Sequence, residues 1–242
     1  MIINYAHRGA SFIYPENTML AFEKALEMGC TGIETDIQRT KDGELVLIHD
    51  EYVNRTTDGI GLVCDYTYKE LKKLDAGKFR DKKYKNIKIP TLKEFLSYVK
   101  DKNIKINLEI KNSIIPYKGI EKEILFEILN AKVENNIIIS SFNHNSMVEL
   151  KKIYPKIKIA ALCEYIVSDL EKYKIDKFEY IHPNYIFADK KEILKCHNKK
   201  MGVNLYTIND EKDMERFIKY KIEGIITNCP DKLKEVMDKN KF

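Results

Sequence analysis

Two carboxylates, Glu34 and Asp36, stand two residues apart in the run GIETDIQ at positions 32–38. On an extended strand both side chains leave the same face. Buried side by side, two unpaired anions are prohibitive, so they need a proton, a basic partner or a metal. Glu109 and Lys111 repeat the spacing at the end of the run IKINLEI, 104–110. Glu34, Asp36 and Glu109, drawn from two neighbouring strands, suit a hard divalent cation such as Ca2+ or Mg2+, which takes oxygen ligands. A salt-bridge cluster with Lys111 and Arg8 is the competing reading of the same residues.

His7 and Arg8 close the first apolar run, and Gly9 behind them lets a backbone approach a ligand closely. His49 closes the segment ELVLIHD. Two histidines at strand ends beside carboxylates form a candidate acid–base pair, although either one alone reads as structural. The Arg8 guanidinium suits bidentate phosphate binding and the Lys111 ammonium a point contact. Together these groups describe phosphoryl or phosphodiester chemistry. Acyl transfer fits poorly, because no GxSxG elbow exists. His182, before Pro183, is a weaker candidate for lining the mouth. His144 and His197 fall in predicted helices and read as structural. Cys163 and Cys229, though placed at strand ends, read as packing.

The elements that must position these residues follow from the apolar pattern. Short apolar runs predict strands over 2–6, 32–38, 104–110, 136–141, 157–162, 180–186, 202–208 and 224–228. Helical spacing predicts helices over 17–28, 91–102, 119–133, 144–153, 168–175, 189–200, 210–220 and 230–240. Within 91–102, Leu92, Phe95, Leu96 and Val99 recur at helical intervals, and Thr91 with Glu94 forms a capping-box pattern. Pro230 suits a first-turn position. Strand–helix alternation of this kind argues for an α/β protein with a parallel sheet. Eight such pairs in a chain of this length make a (β/α)8 barrel, whose active sites lie at the C-terminal strand ends. An open doubly wound sheet is the rival, but no GxGxxG follows an early strand. Asp42-Gly43 is a hairpin signal. A two-residue turn there sets Asp36 opposite His49 and returns that histidine to the rim. Residues 51–90 are then expected to form a small insertion, after the second barrel strand, that caps the site of a single domain spanning 1–242.

The chain has 242 residues, 44% hydrophobic and 33% charged. That composition excludes whole-chain disorder and a collagen-like class. No apolar run approaches the ~18 residues of a membrane span. The start MIINYAHRG lacks a signal-peptide pattern. Cys30, Cys64, Cys163, Cys196 and Cys229 are odd in number with no CxxC, so the expected home is a reducing cytoplasm. Residues 69–93 hold ten basic and three acidic residues, against a net charge of +5 for the whole chain. A solvated lysine-rich surface is the plainer reading of that stretch. A patch for anionic substrates, lipid headgroups or nucleic acid is the functional one. Nucleic acid is not expected as a partner, since interleaved aromatics and arginines are missing.

The ordered motifs His7-Arg8-Gly9, Pro15-Glu16-Asn17-Thr18, Glu34-x-Asp36, Thr40-Lys41-Asp42-Gly43, His49-Asp50, Glu109-x-Lys111, Ser141-Phe142 and Gly224-Ile225-Ile226-Thr227-Asn228 with Pro230 span almost the whole chain. In this order they resemble the glycerophosphodiester phosphodiesterase family. The resemblance implies a TIM-type barrel with an insertion after its second strand. It implies that Glu34, Asp36 and Glu109 bind one Ca2+ or Mg2+ ion, and that His7 and His49 are the general acid and base. Arg8 and Lys111 would then hold the phosphate, with Glu16 and Asn17 supporting the first loop. The implied reaction is hydrolysis of a glycerophosphodiester to glycerol 3-phosphate and an alcohol such as choline, ethanolamine or glycerol. Two alternatives stand beside it. One is a lysophospholipase D-type activity with peripheral membrane contact. The other is a non-catalytic barrel that binds phosphorylated metabolites. The chain departs from the family's usual pattern at Tyr206, where Trp is frequent before Thr, and at Asn228, where Asp is common. An aromatic side chain at 206 is expected to touch the glycerol or alcohol group.

Overall fold

A computed structural model describes residues 2–166 and 169–239. The strands in chain order are β1 (Ile3–His7), β2 (Gly32–Arg39), β3 (Leu45–Leu47), β4 (Lys105–Ile110), β5 (Ile137–Ser141), β6 (Lys158–Cys163), β7 (Tyr180–Pro183), β8 (Gly202–Leu205) and β9 (Gly224–Thr227). The helices are α1 (Met19–Glu27), α2 (Tyr68–Leu71), α3 (Leu92–Val99), α4 (Ile120–Ala131), α5 (His144–Ile153), α6 (Glu171–Ile175), α7 (Lys190–Asn198), α8 (Glu211–Lys219) and α9 (Pro230–Lys239). All strands except β3 run parallel, and pairing of β1 with both β2 and β9 closes them into a barrel. Helices between the strands complete a (β/α)8, TIM-type fold.

The helices between barrel strands bury apolar side chains in the main core, whereas α2 buries Leu71 in a smaller one. In α3, Leu92, Phe95, Leu96 and Val99 are all buried, and Phe95 meets Phe22 of α1 with ring centroids 4.8 Å apart. The capping box is present: the Glu94 amide donates to Thr91 Oγ1 at 3.0 Å and the Thr91 amide to Glu94 Oε2 at 2.9 Å. Helix α1 starts two residues later than expected. Thr18 caps it by accepting the Ala21 amide at 3.2 Å, which leaves Asn17, at φ +53°, free of the helix and turned to the barrel. Strand β7 ends at Pro183, and 185–187 form a short 3-10 turn whose Ile186 amide donates to Asn184 Oδ1.

The hairpin differs from expectation by one residue. Ile37 pairs with Leu47, Gln38 with Val46 and Arg39 with Leu45, so the turn is the three-residue loop Lys41-Asp42-Gly43. Thr40 N–H donates to the Glu44 carbonyl at 2.9 Å, Thr40 Oγ1 donates to Asp42 Oδ1 at 2.7 Å, and Gly43 takes φ +92°. A left-handed glycine closing such a loop is favoured where a two-residue primed turn does not form. Asp36 therefore faces Ile48, whose amide donates to the Asp36 carbonyl at 3.1 Å. A one-residue slip exchanges the two faces of a strand. Ile48 accordingly joins Val46, Val53, Val63, Leu71, Ala76 and Ile89 in a small second core, and His49 leaves the ladder.

Candidate active site

The site lies at the C-terminal ends of the barrel strands. Strand β2 turns Glu34 and Asp36 inward, and its neighbour β4 turns Glu109, which pairs in register with Asp36. All three are nearly or fully buried by their surroundings, and one carboxylate oxygen from each lies within 4.8 Å of the other two. Burial, then the charges of Asp36 and Glu109, push Glu34 well above the usual carboxylate range. Burial and Asp36 raise Glu109 against the pull of Lys111. Burial also opposes ionisation of Asp36, but Arg8, His49 and Lys111 outweigh it and hold Asp36 ionised and low. The Asp36 Oδ1 atom is buried without a hydrogen-bond partner.

Arg8 and Lys111 border this acidic group. Arg8 Nη1 donates to Glu16 Oε1 at 2.9 Å, its Nε lies 3.3 Å from Asp36 Oδ2, and its amide donates to Glu34 Oε2 at 3.0 Å. Arg8 takes φ +57°, an unusual left-handed conformation for a non-glycine residue. It is followed by Gly9 at φ +82°, where an added Cβ would sit 2.7 Å from Ala21 backbone and side-chain atoms. Lys111 Nζ donates to Glu109 Oε1 at 2.8 Å. Asn17 Nδ2 donates to Asp36 Oδ2 at 2.8 Å while its Oδ1 accepts from Thr35 at 2.7 Å.

The two histidines enter from different elements. His7 ends β1, and its Nδ1 lies 2.6 Å from Asn228 Oδ1. An amide oxygen only accepts, so the proton sits on Nδ1 and the Nε2 lone pair faces Glu34, 3.8 Å away. Burial, then neighbouring Arg8, lowers the His7 pKa to about 3. His49 Nδ1 donates to Asp50 Oδ1 at 2.6 Å, and its Nε2 accepts from Lys111 Nζ at 3.3 Å. Outside the ladder, the backbone around His49 is held by the buried Gln38 amide. Gln38 Nε2 donates to the carbonyls of His49 at 3.0 Å and Asp50 at 2.5 Å, and Tyr117 OH donates to Gln38 Oε1 at 2.8 Å.

One residue of the insertion joins the network. Arg55 donates to both Glu16 oxygens at 2.8 Å, and to Asp50 from Nε at 2.6 Å and from Nη2 at 3.0 Å. Arg55 thus ties the carboxylate behind Arg8 to the carboxylate behind His49. Burial works against Asp50 ionising, but its bonds to Arg55 and His49 prevail and lower it to about 2. Sequence spacing offered little sign of Arg55 or Gln38: a cation five residues past Asp50 is common on any surface.

His7, Arg8, Glu34, His49, Glu109, Lys111 and Tyr206 line one cavity of about 160 Å³. Apolar Phe142, Leu162 and Ile226 also line it. Tyr206 OH donates to the Cys163 carbonyl at 3.0 Å, and its ring meets Phe142 edge-on at 6.4 Å. Asp36, Glu16 and Asn17 stand behind that lining and hold it. His182 corrects an expectation: it is 0% exposed inside the barrel, with Nε2 2.9 Å from Asn204 Nδ2, and does not reach the mouth. The barrel places that strand position one layer below the rim. Cys163 and Cys229 are buried with no disulfide partner.

A family model described as the glycerophosphoryl diester phosphodiesterase family matches residues 7–232. A glycerophosphodiester phosphodiesterase of Caldanaerobacter subterraneus subsp. tengcongensis is 43% identical over 237 residues, covering 94% of each chain. One from Bacillus altitudinis is 39% identical over 241 residues, covering 98% of each. Among solved structures, an Oleispira antarctica phosphodiesterase in complex with the product sn-glycerol-3-phosphate superposes with a TM-score of 0.87 at 29% identity. That match covers 97% of this chain and 96% of the other.

Proposed function

The chain belongs to the glycerophosphoryl diester phosphodiesterase family, and from that membership and its site geometry we propose that it hydrolyses glycerophosphodiesters to glycerol 3-phosphate and an alcohol such as choline, ethanolamine or glycerol. The observation that carries this reading is the meeting, at one cavity, of two imidazoles with a cluster of three carboxylates, a guanidinium and an ammonium. Binding an anion needs only the cations. A pair of imidazoles, each fixed in orientation through Nδ1 by a partner oxygen, suits proton transfer.

Glu34, Asp36 and Glu109 would hold one divalent cation, Ca2+ or Mg2+. Their fit rests on the close approach of three buried carboxylates and on the unpartnered Asp36 Oδ1, which together call for a compensating charge. Such a cation, when bound, polarises the phosphate as a Lewis acid. Arg8 and Lys111 orient the phosphate and offset charge that builds on its oxygens. One histidine takes a proton from the attacking oxygen, and the other gives one to the departing alkoxide. The attacker is water or the glycerol hydroxyl beside the phosphate. Tyr206 and Phe142 form the apolar wall against which the glycerol or alcohol carbons rest. Five unpaired cysteines support a reducing compartment such as the cytoplasm.

The test is a panel of glycerophosphodiesters assayed with Ca2+, Mg2+ and Mn2+, with release of glycerol 3-phosphate read by a coupled dehydrogenase. Turnover is expected with at least one metal and loss of turnover after chelation. Full activity in chelated protein would refute the role given to the three carboxylates. Silence toward every glycerophosphodiester together with cleavage of lysophospholipids would replace the substrate assignment. Accumulation of a cyclic phosphate would identify the glycerol hydroxyl as the attacker.

A further inference from the structure

Beside the cavity mouth, the segment KFRDKKYKNIK at 78–88 carries six basic residues and one acidic one. All six basic residues are exposed, and among the described residues Lys82 and Lys85 have no acidic partner. The segment is tied to the loop after β1. Arg80 Nε and Tyr84 OH both donate to the Ile13 carbonyl, at 3.3 and 3.4 Å, and the Tyr84 ring lies 5.8 Å from Tyr14. From that junction three large apolar side chains reach solvent: Phe12 at 57%, Ile13 at 40% and Phe79 at 38% exposure. Lys232 stands over the Phe12 ring at 5.8 Å. The Phe12 amide donates to the carbonyl of Asn228, the residue that holds His7, so this surface connects to the cavity lining through Asn228 and His7.

Exposed aromatic and aliphatic tips set among unpaired lysines match one kind of partner. An anionic lipid surface offers phosphates to the ammonium groups and an acyl boundary to the apolar tips. A nucleic-acid backbone rewards the cations alone and leaves Phe12, Ile13 and Phe79 in water. We propose that the surface formed by residues 12–13 and 78–85 docks the protein on bilayers of anionic lipid, with the cavity mouth held at the headgroup level. The docking is independent of which reaction the cavity performs.

The experiment is co-sedimentation of the full chain with vesicles of mixed phosphatidylglycerol and phosphatidylcholine, and with phosphatidylcholine alone. Wild-type protein is expected to bind the anionic vesicles at least ten-fold more tightly and to release at high salt. Each lysine near such a surface contributes about a five-fold factor, so Lys82→Glu, Lys83→Glu and Lys85→Glu combined should remove most of the binding. Phe12→Ser should weaken binding while leaving its salt dependence in place. Both variants should keep the wild-type circular dichroism spectrum and denaturation midpoint, which reports that they fold. Equal binding to neutral vesicles, binding indifferent to the lysine reversals, or tighter binding to a DNA duplex than to anionic vesicles would overturn the proposal.

Discussion

At the scale of single residues, the two histidines differ in what stands behind them. His7 leans on the neutral amide of Asn228, whereas His49 leans on a carboxylate that is itself held by Arg55. Each proton transfer is worth on the order of 10²–10⁴ in rate. His7→Ala and His49→Ala are each expected to lower kcat by that order with the fold intact by circular dichroism, and wild-type turnover in either would refute the assignment. Arg55 touches no cavity atom, so it acts as a positioning residue. Arg55→Ala should lower kcat by about 10–100-fold with KM little changed, the usual cost of losing a supporting contact. Arg55→Lys should recover only part of that loss, because an ammonium lacks the fork that spans Glu16 and Asp50. A variant that instead raises KM alone would show that Arg55 serves binding.

At the scale of elements, the turn after β1 does more than connect. Arg8 and Gly9 both adopt positive φ, and this brings the loop back across the barrel mouth against α1. Gly9→Ala meets the Ala21 backbone and a disfavoured φ together. A loss of about 2–4 kcal/mol is expected from strain and overpacking, read as a lower denaturation midpoint, with activity falling because His7 and Arg8 shift. Unchanged stability would show that the loop yields at little cost. The hairpin of β2 and β3 makes the complementary point. Its alternation was legible in residues 36–48, but its register depended on whether two or three residues formed the loop. The three-residue loop placed Ile48, not His49, against Asp36. His49 then needed Gln38 to bring it to the site.

For the molecule as a whole, the barrel interior beneath the site is polar, and its most consequential occupant is His182. Burial lowers its pKa to about 3, so it is neutral in the fold, while the unfolded chain takes up a proton near 6.5. Stability linked to this group is intact above pH 6.5 and is lost as pH falls from there toward 3, at up to about 1.4 kcal/mol per pH unit. His182→Gln should flatten that slope in denaturant titrations at pH 7, 6 and 5. Parallel slopes for both proteins would mean that other groups govern acid sensitivity. Among the described residues no helix is long and apolar enough to cross a membrane.

The chain by itself determined which residue types meet and on which face of each strand they stand. A period of two puts Glu34 with Asp36 and Glu109 with Lys111, and alternation of strand and helix specifies the barrel that gathers their ends. Those signals are local, because side-chain direction follows from backbone geometry over a few residues. Only the tertiary structure decided the hairpin register, the sealing of His182 beneath the rim and the reach of Arg55 to Glu16 across 39 positions of sequence. Those outcomes depend on which distant surfaces close against one another, and no periodicity along the chain carries that information.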